Sequence, residues 1–178
     1  MRKPVTASHV SRRIAMFQRA EDGAAAIEFG LVAIPFLALL LFMIEIGIML
    51  VTEYSIQNGV EQASRIIRVS GQGTMSGEEL LNEVCDRAAI VGNCETRLGL
   101  SVTSAEGFAD VDTPLIADVA PGGVTNFNPG PPGDAVVIVA TYDWEFITPF
   151  LRPLANDPAN PDVRRLHGIT TFRTELLE

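Results

Sequence analysis

Gly23-Ala-Ala-Ala-Ile-Glu-Phe29, followed by an apolar run that lasts to Val51, decides how this chain is read. As a helix rising ~1.5 Å per residue, Phe29 to Val51 is roughly 35 Å long. That is enough to cross a hydrocarbon core of ~30 Å. Lipid offers no partner to backbone N–H and C=O groups, so a lone apolar segment of this length crosses only as a helix. One span is expected, with a single carboxylate, Glu28, inside its start.

Orientation follows from the flanks. Arg2, Lys3, Arg12, Arg13 and Arg19 crowd the short segment before the span, and positive charge close to a span stays cytoplasmic. Beyond Gly23 lie only eight arginines, Arg65, Arg68, Arg87, Arg97, Arg152, Arg164, Arg165 and Arg173, against most of the 22 acidic residues. An acidic exterior repels DNA and anionic lipid surfaces, both of which call for basic patches. No nucleic-acid partner is expected.

A cleaved secretory signal has an apolar core of only ~7 to 15 residues ending in a small-residue cleavage site. This run is longer and ends at Val51-Thr-Glu-Tyr54. A plain signal anchor accounts for the span and its flanks but not for Glu28, because a charge deep in lipid costs about 2.5 to 3.5 kcal/mol. Read from the residues alone, Glu28 either snorkels to cytoplasmic water or pairs with a charge inside an assembly.

Gly23, Ala24 to Ile27, then Glu28 and Phe29 resemble the prepilin signals that are cut after the glycine on the cytoplasmic face, with the hydrophobic helix retained. The continuation, Ala26-Ile-Glu-Phe-Gly-Leu-Val-Ala-Ile-Pro-Phe-Leu-Ala-Leu-Leu-Leu-Phe-Met-Ile-Glu-Ile-Gly47, is similar to the start of TadE-like pseudopilins of tight-adherence (Tad/Flp) pilus systems. Pro35 and Glu45 stand where members of that family commonly carry a proline and a second acidic residue. The closing segment Thr170-Thr-Phe-Arg-Thr-Glu175 is of a kind such proteins often have. The resemblance implies processing at Gly23 and Ala24 with Glu28 and Phe29 as the signal, and helix packing through Glu28, Pro35 and Glu45. Its implied partners are the inner membrane, a prepilin peptidase, other pilin or pseudopilin subunits and the pilus assembly machinery.

The signal also has a physical logic of its own. Glycine before the scissile bond lets the backbone approach a protease with no side chain in the way. Cleavage would leave an amine on Ala24 with a pKa of about 7.7 to 8.0, one helical turn from Glu28. In pilins, which this segment resembles, that glutamate pairs with the terminal amine of a neighbouring subunit.

Glu45 stands 17 positions after Glu28, ~25 Å along a helix and so near the outer boundary of the core. It either snorkels there or contacts a partner helix. Pro35 removes one helical hydrogen bond and is expected to bend the span. Gly30 and Gly47 are too far apart for a small-xxx-small motif.

Beyond the span, Thr52 to Val69 keeps helical spacing through Tyr54, Ile56, Val60, Ala63, Ile66 and Ile67, which extends the helix as an amphipathic stalk that Gly71-Gln-Gly73 ends. Ser76 with Glu78 and Glu79 opens a second helix to about Ile90, with Leu80, Leu81, Val84 and Ala88 as its apolar stripe. Strands are expected at Leu98 to Ser104, Ala135 to Trp144 and Leu166 to Leu177, and loops at Pro114 to Asp134 and Pro149 to Asp162. The fold class is α+β: a long N-terminal transmembrane helix, a stalk and a small antiparallel-sheet head, an arrangement that resembles type IV pilins. Its expected parts are a basic cytoplasmic leader 1–23, a transmembrane helix 24–52 and a periplasmic domain 53–178.

Cys85 and Cys94 lie nine positions apart and face an oxidising compartment in this topology, which favours a disulfide over two free thiols. Two cysteines without nearby histidine do not make a zinc site, and no other metal or cofactor is expected. His9 and His167 have no triad partners. Asp143 and Glu145 flank Trp144 on one face of a strand, where alternation alone puts such pairs. Asp110, Asp112 and Asp118 lack a calcium-loop template. A non-enzymatic minor pilin-like subunit supporting pilus assembly, secretion and adhesion is the first reading. The alternative is an unprocessed single-pass anchor carrying an extracytoplasmic binding or sensing domain. The two differ at Gly23 and Glu28, where only the first makes Gly23→Val and Glu28→Ala block assembly.

Overall fold

A computed structural model describes residues 21–70, 75–88, 92–111, 118–157 and 160–175. The leader's arginines, Lys3 and His9, the glycines at 71 and 73, Ile90, Asp112, Pro114 and Leu177 lie outside the described residues. The chain divides into two compact units, one ending at Met43 and the other starting at Ile44.

Helix α1 is Glu21–Ser70, and it continues through Pro35, which has no N–H to donate to the helical ladder. Within the first unit its apolar side chains, among them Ile27, Phe29, Leu31, Ile34, Phe36 and Leu41, are exposed. A helix apolar on every side has no core-facing stripe and is matched to lipid rather than water. The stretch Gly23–Val69 contains a window of mean hydropathy 2.6, long and apolar enough to cross a membrane.

In the second unit α1 acquires a face. Met49, Ile56, Val60, Ala63 and Ile67 are buried at spacings of three, four and seven and share one cluster with α2 (Gly77–Arg87) and the sheet. Each fully buried aliphatic side chain stabilises by about 1.5 to 3 kcal/mol. Ser76 caps α2: its hydroxyl accepts from Glu79 N at 3.2 Å, and the Glu79 carboxylate accepts in turn from Ser76 N at 2.7 Å. The Ser76 N–H, and after it the Ser76 side chain, hold the Glu79 carboxyl below its ordinary pKa. Helices α1 and α2 meet at Gly59, where a Cβ would stand 2.9 Å from the Val84 carbonyl oxygen. Only glycine permits that approach.

A short helix α3 (Cys94–Arg97) leads into a four-stranded sheet of β1 (Leu98–Ala105), β2 (Gly123–Phe127), β3 (Ala135–Glu145) and β4 (Val163–Arg173), in the order β2-β1-β3-β4. The sheet is mixed, which corrects the expected all-antiparallel head. β1, β3 and β4 are antiparallel neighbours, but β2 runs parallel to β1, with Gly99 opposite Gly123. Parallel pairing requires a long crossover, and the segment 106–122 supplies it. β2 falls inside an expected loop, and the second expected loop contains a 3-10 turn, Pro149–Leu154. β4 starts three residues earlier than its apolar pattern suggests and ends at Arg173.

Strand β3 is buried on both faces. Val136, Ile138, Ala140 and Tyr142 face the helices, while Val137 and Val139 pack with Val119 on the reverse. That explains its continuous β-branched run.

Candidate assembly helix and its clamp to the head

Glu28 lies on the exposed surface of the first unit, in the same helix as Ala24 and one turn from it, with Phe29 beside it and also exposed. The four-residue spacing places position 24 and the carboxylate on one helix face. Pro35 is likewise exposed.

Glu45 has a different setting. It belongs to the second unit, is only 5% exposed, and its carboxylate accepts hydrogen bonds from Ile147 N at 2.6 Å and Thr148 N at 2.9 Å. Each oxygen takes one amide of the turn that follows β3. The acid therefore has partners inside its own chain, where the sequence left snorkelling or a contact with a partner helix. Three turns further on, Gln57 makes a second such clamp. Its Nε2 donates to Ile169 O and its Oε1 accepts from Ile169 N, both at 2.9 Å, satisfying both backbone polar groups of one residue on the free edge of β4. Gly168 allows this closeness: a Cβ there would lie 3.1 Å from Gln57 N.

The carboxylates singled out as a potential pair have separate partners. Asp143 binds Arg165 at 2.8 Å, and Arg165 also reaches Asp157 at 2.9 Å. The hydrogen bond from Asp143 raises the Arg165 guanidinium above its ordinary pKa, with burial opposing it. Glu145 pairs with Arg97 at 2.8 Å. Arg97 is raised first by its hydrogen bond to Tyr142, then by Glu145, again against burial. His167 lies on the edge strand with Nδ1 3.7 Å from Glu53. Asp110 and Asp118 are exposed, and among the described residues no group of His, Cys, Asp or Glu is arranged to hold a metal ion. An open depression of about 300 Å³ between α2 and β2 has Glu78 and Glu95 as its only titratable groups.

Cys85 and Cys94 are bonded, joining α2 to α3. By the chain-entropy relation, closing so short a loop stabilises the head by about 2 to 3 kcal/mol. Cys94→Ser is expected to lower stability by that amount, read as a shift in the urea midpoint with unchanged slope. An identical midpoint would mean that the bridge constrains nothing in the unfolded chain.

A membrane-length helix apolar on all sides and a disulfide-closed α+β head define a single-pass membrane protein. The family model described as TadE-like protein matches residues 23–65, from Gly23 to just short of Ile67, the last residue of the buried stripe of α1. Over those residues the anchor and stalk are similar to TadE-like proteins. No curated protein and no solved structure matches it.

Proposed function

We propose that this chain is a non-enzymatic pseudopilin-like subunit of a Tad-type pilus system, supporting assembly or secretion and adhesion. It is cleaved after Gly23 by a prepilin peptidase and held in the inner membrane with its N-terminus cytoplasmic and its head periplasmic. The observation that carries the reading is the TadE-like match over residues 23–65, which begins at the proposed cleavage glycine and includes Glu28 within an apolar exposed helix. Cleavage would place a cationic amine on Ala24. Pairing with the Glu28 carboxylate of a neighbouring subunit would neutralise both charges only when the helices are in register, so docking selects the correct alignment.

Mass spectrometry of the membrane-extracted protein, made with and without the peptidase, tests this. The expected N-terminus is Ala24 only when the peptidase is present, and Gly23→Val is expected to retain the leader in both. An intact leader in the wild-type chain beside active peptidase would leave an unprocessed anchor with an extracytoplasmic domain.

A further inference from the structure

Within the second unit, the turn after β3 presents apolar side chains to its surroundings. Ile147 is 83% exposed and Phe150 80%, although Leu151 between them and the sheet is buried and anchors the turn. The Glu45 clamp fixes the backbone of Ile147 and Thr148 level with residue 45 of α1. At that level α1 is itself apolar and half exposed, at Ile44, Ile48 and Val51. Helix and turn therefore form one apolar collar around a buried carboxylate.

The collar's occupant follows from continuity with the span. Residues 24–43 are enough to fill a hydrocarbon core of ~30 Å at ~1.5 Å per residue, which puts Glu45, and with it the 147–150 turn, at the outer lipid–water boundary. We propose that Ile147 and Phe150 form a foot that inserts into the outer-leaflet interface of the membrane α1 crosses. Two ion pairs lie near the foot in sequence, Arg97 with Glu145 and Arg152 with Asp162. The contact is therefore apolar and indifferent to anionic lipid. This inference rests on the single-span reading.

The test uses the full chain in vesicles of phosphatidylcholine carrying brominated acyl chains, which quench tryptophan fluorescence on contact. Trp144 is first replaced by Phe, which removes an Nε1 that has no hydrogen-bond partner among the described residues. Single tryptophans are then placed by Ile147→Trp, Phe150→Trp, Leu39→Trp and Phe108→Trp. Phe108 is exposed and follows the opposite end of β1, on the order of 30 Å from the foot given ~3.3 Å per strand residue. Quenching at 147 and 150 of at least half that at 39, near zero at 108, and unchanged by added phosphatidylglycerol, is the expected result. Quenching at 39 without quenching at 147 and 150 overturns the foot and leaves the span standing. No quenching at 39 removes both. Protection of 147 and 150 that appears only as protein concentration rises would assign the collar to a second copy and also overturn the proposal.

Discussion

Glu45→Ala is expected to release the turn 146–154 from α1 while the sheet stays folded. A hydrogen bond to a charged acceptor contributes about 1.5 to 3 kcal/mol, so the two bonds from Ile147 N and Thr148 N together amount to about 3 to 6 kcal/mol of local stability. Alanine also leaves both amides without an acceptor. The loss should be local, because the pairing of β3 with β4 does not depend on it: their ladder runs continuously from Ala135 opposite Arg173 to Glu145 opposite Val163. Hydrogen exchange on the full chain in bicelles is the measurement. Protection of the Ile147 and Thr148 amides should fall by at least 100-fold, while amides in the middle of β3 keep theirs. Glu45→Gln keeps one acceptor oxygen and turns an N–H₂ donor toward the second amide, so it should restore protection at one of the two positions only. Unchanged protection at both amides in Glu45→Ala would show that the turn is held by Leu151 and the sheet alone.

Why this clamp escaped the sequence is instructive. The partners of Glu45 are backbone amides more than a hundred residues away, and a peptide N–H has no signature in a sequence. An acid at the end of an apolar run looks the same whether it snorkels, meets another helix or binds a distant turn. The apolar face of α1 has the same ambiguity. Met49 is buried against the head and Leu41 is exposed, yet both fit a run matched to lipid. The compact unit accordingly begins at Ile44, within the stretch that hydropathy alone assigns to the membrane up to residue 52. The amphipathic part was legible except at Tyr54, which is exposed: Ile56, Val60, Ala63 and Ile67 are the buried stripe, and the capping residue Ser76 marks the start of α2. So was β3, whose β-branched run is long and bounded by Pro-Pro-Gly-Asp134. β2 was not, because Gly122, Gly123 and Asn126 read as loop chemistry, and its five residues acquire strand character only from pairing with β1. The start of β4 was hidden by Arg164 and Arg165. The second of these is on the strand to bind Asp143 and Asp157, a charged use of strand positions that alternation cannot anticipate.

On the pairing proposed for Glu28, Glu28→Gln should give a chain that is cleaved after Gly23, inserted and folded with its disulfide formed, yet about 100-fold less incorporated into the assembly. The cause is the amine left on Ala24 by cleavage. Docked among apolar helices without a carboxylate to meet it, a charge costs about 2.5 to 3.5 kcal/mol, and 1.4 kcal/mol is a factor of ten in an equilibrium. Glutamine is nearly isosteric, so packing is preserved and only the charge is lost. Glu28→Asp restores the charge on a side chain one methylene shorter and should recover part of the incorporation. Deuterated or cross-linkable subunits counted in purified assemblies give the number, and the N-terminal mass of the membrane pool shows whether processing was spared. Incorporation of Glu28→Gln at the wild-type level would sink the pairing and return Glu28 to a residue that merely marks the cytoplasmic interface. Loss in both Glu28→Gln and Glu28→Asp, with the leader still attached, would put the requirement at the peptidase instead. The exposed position of Glu28 fits the pairing, because a carboxylate with no partner among the described residues of its own subunit remains available to a neighbour.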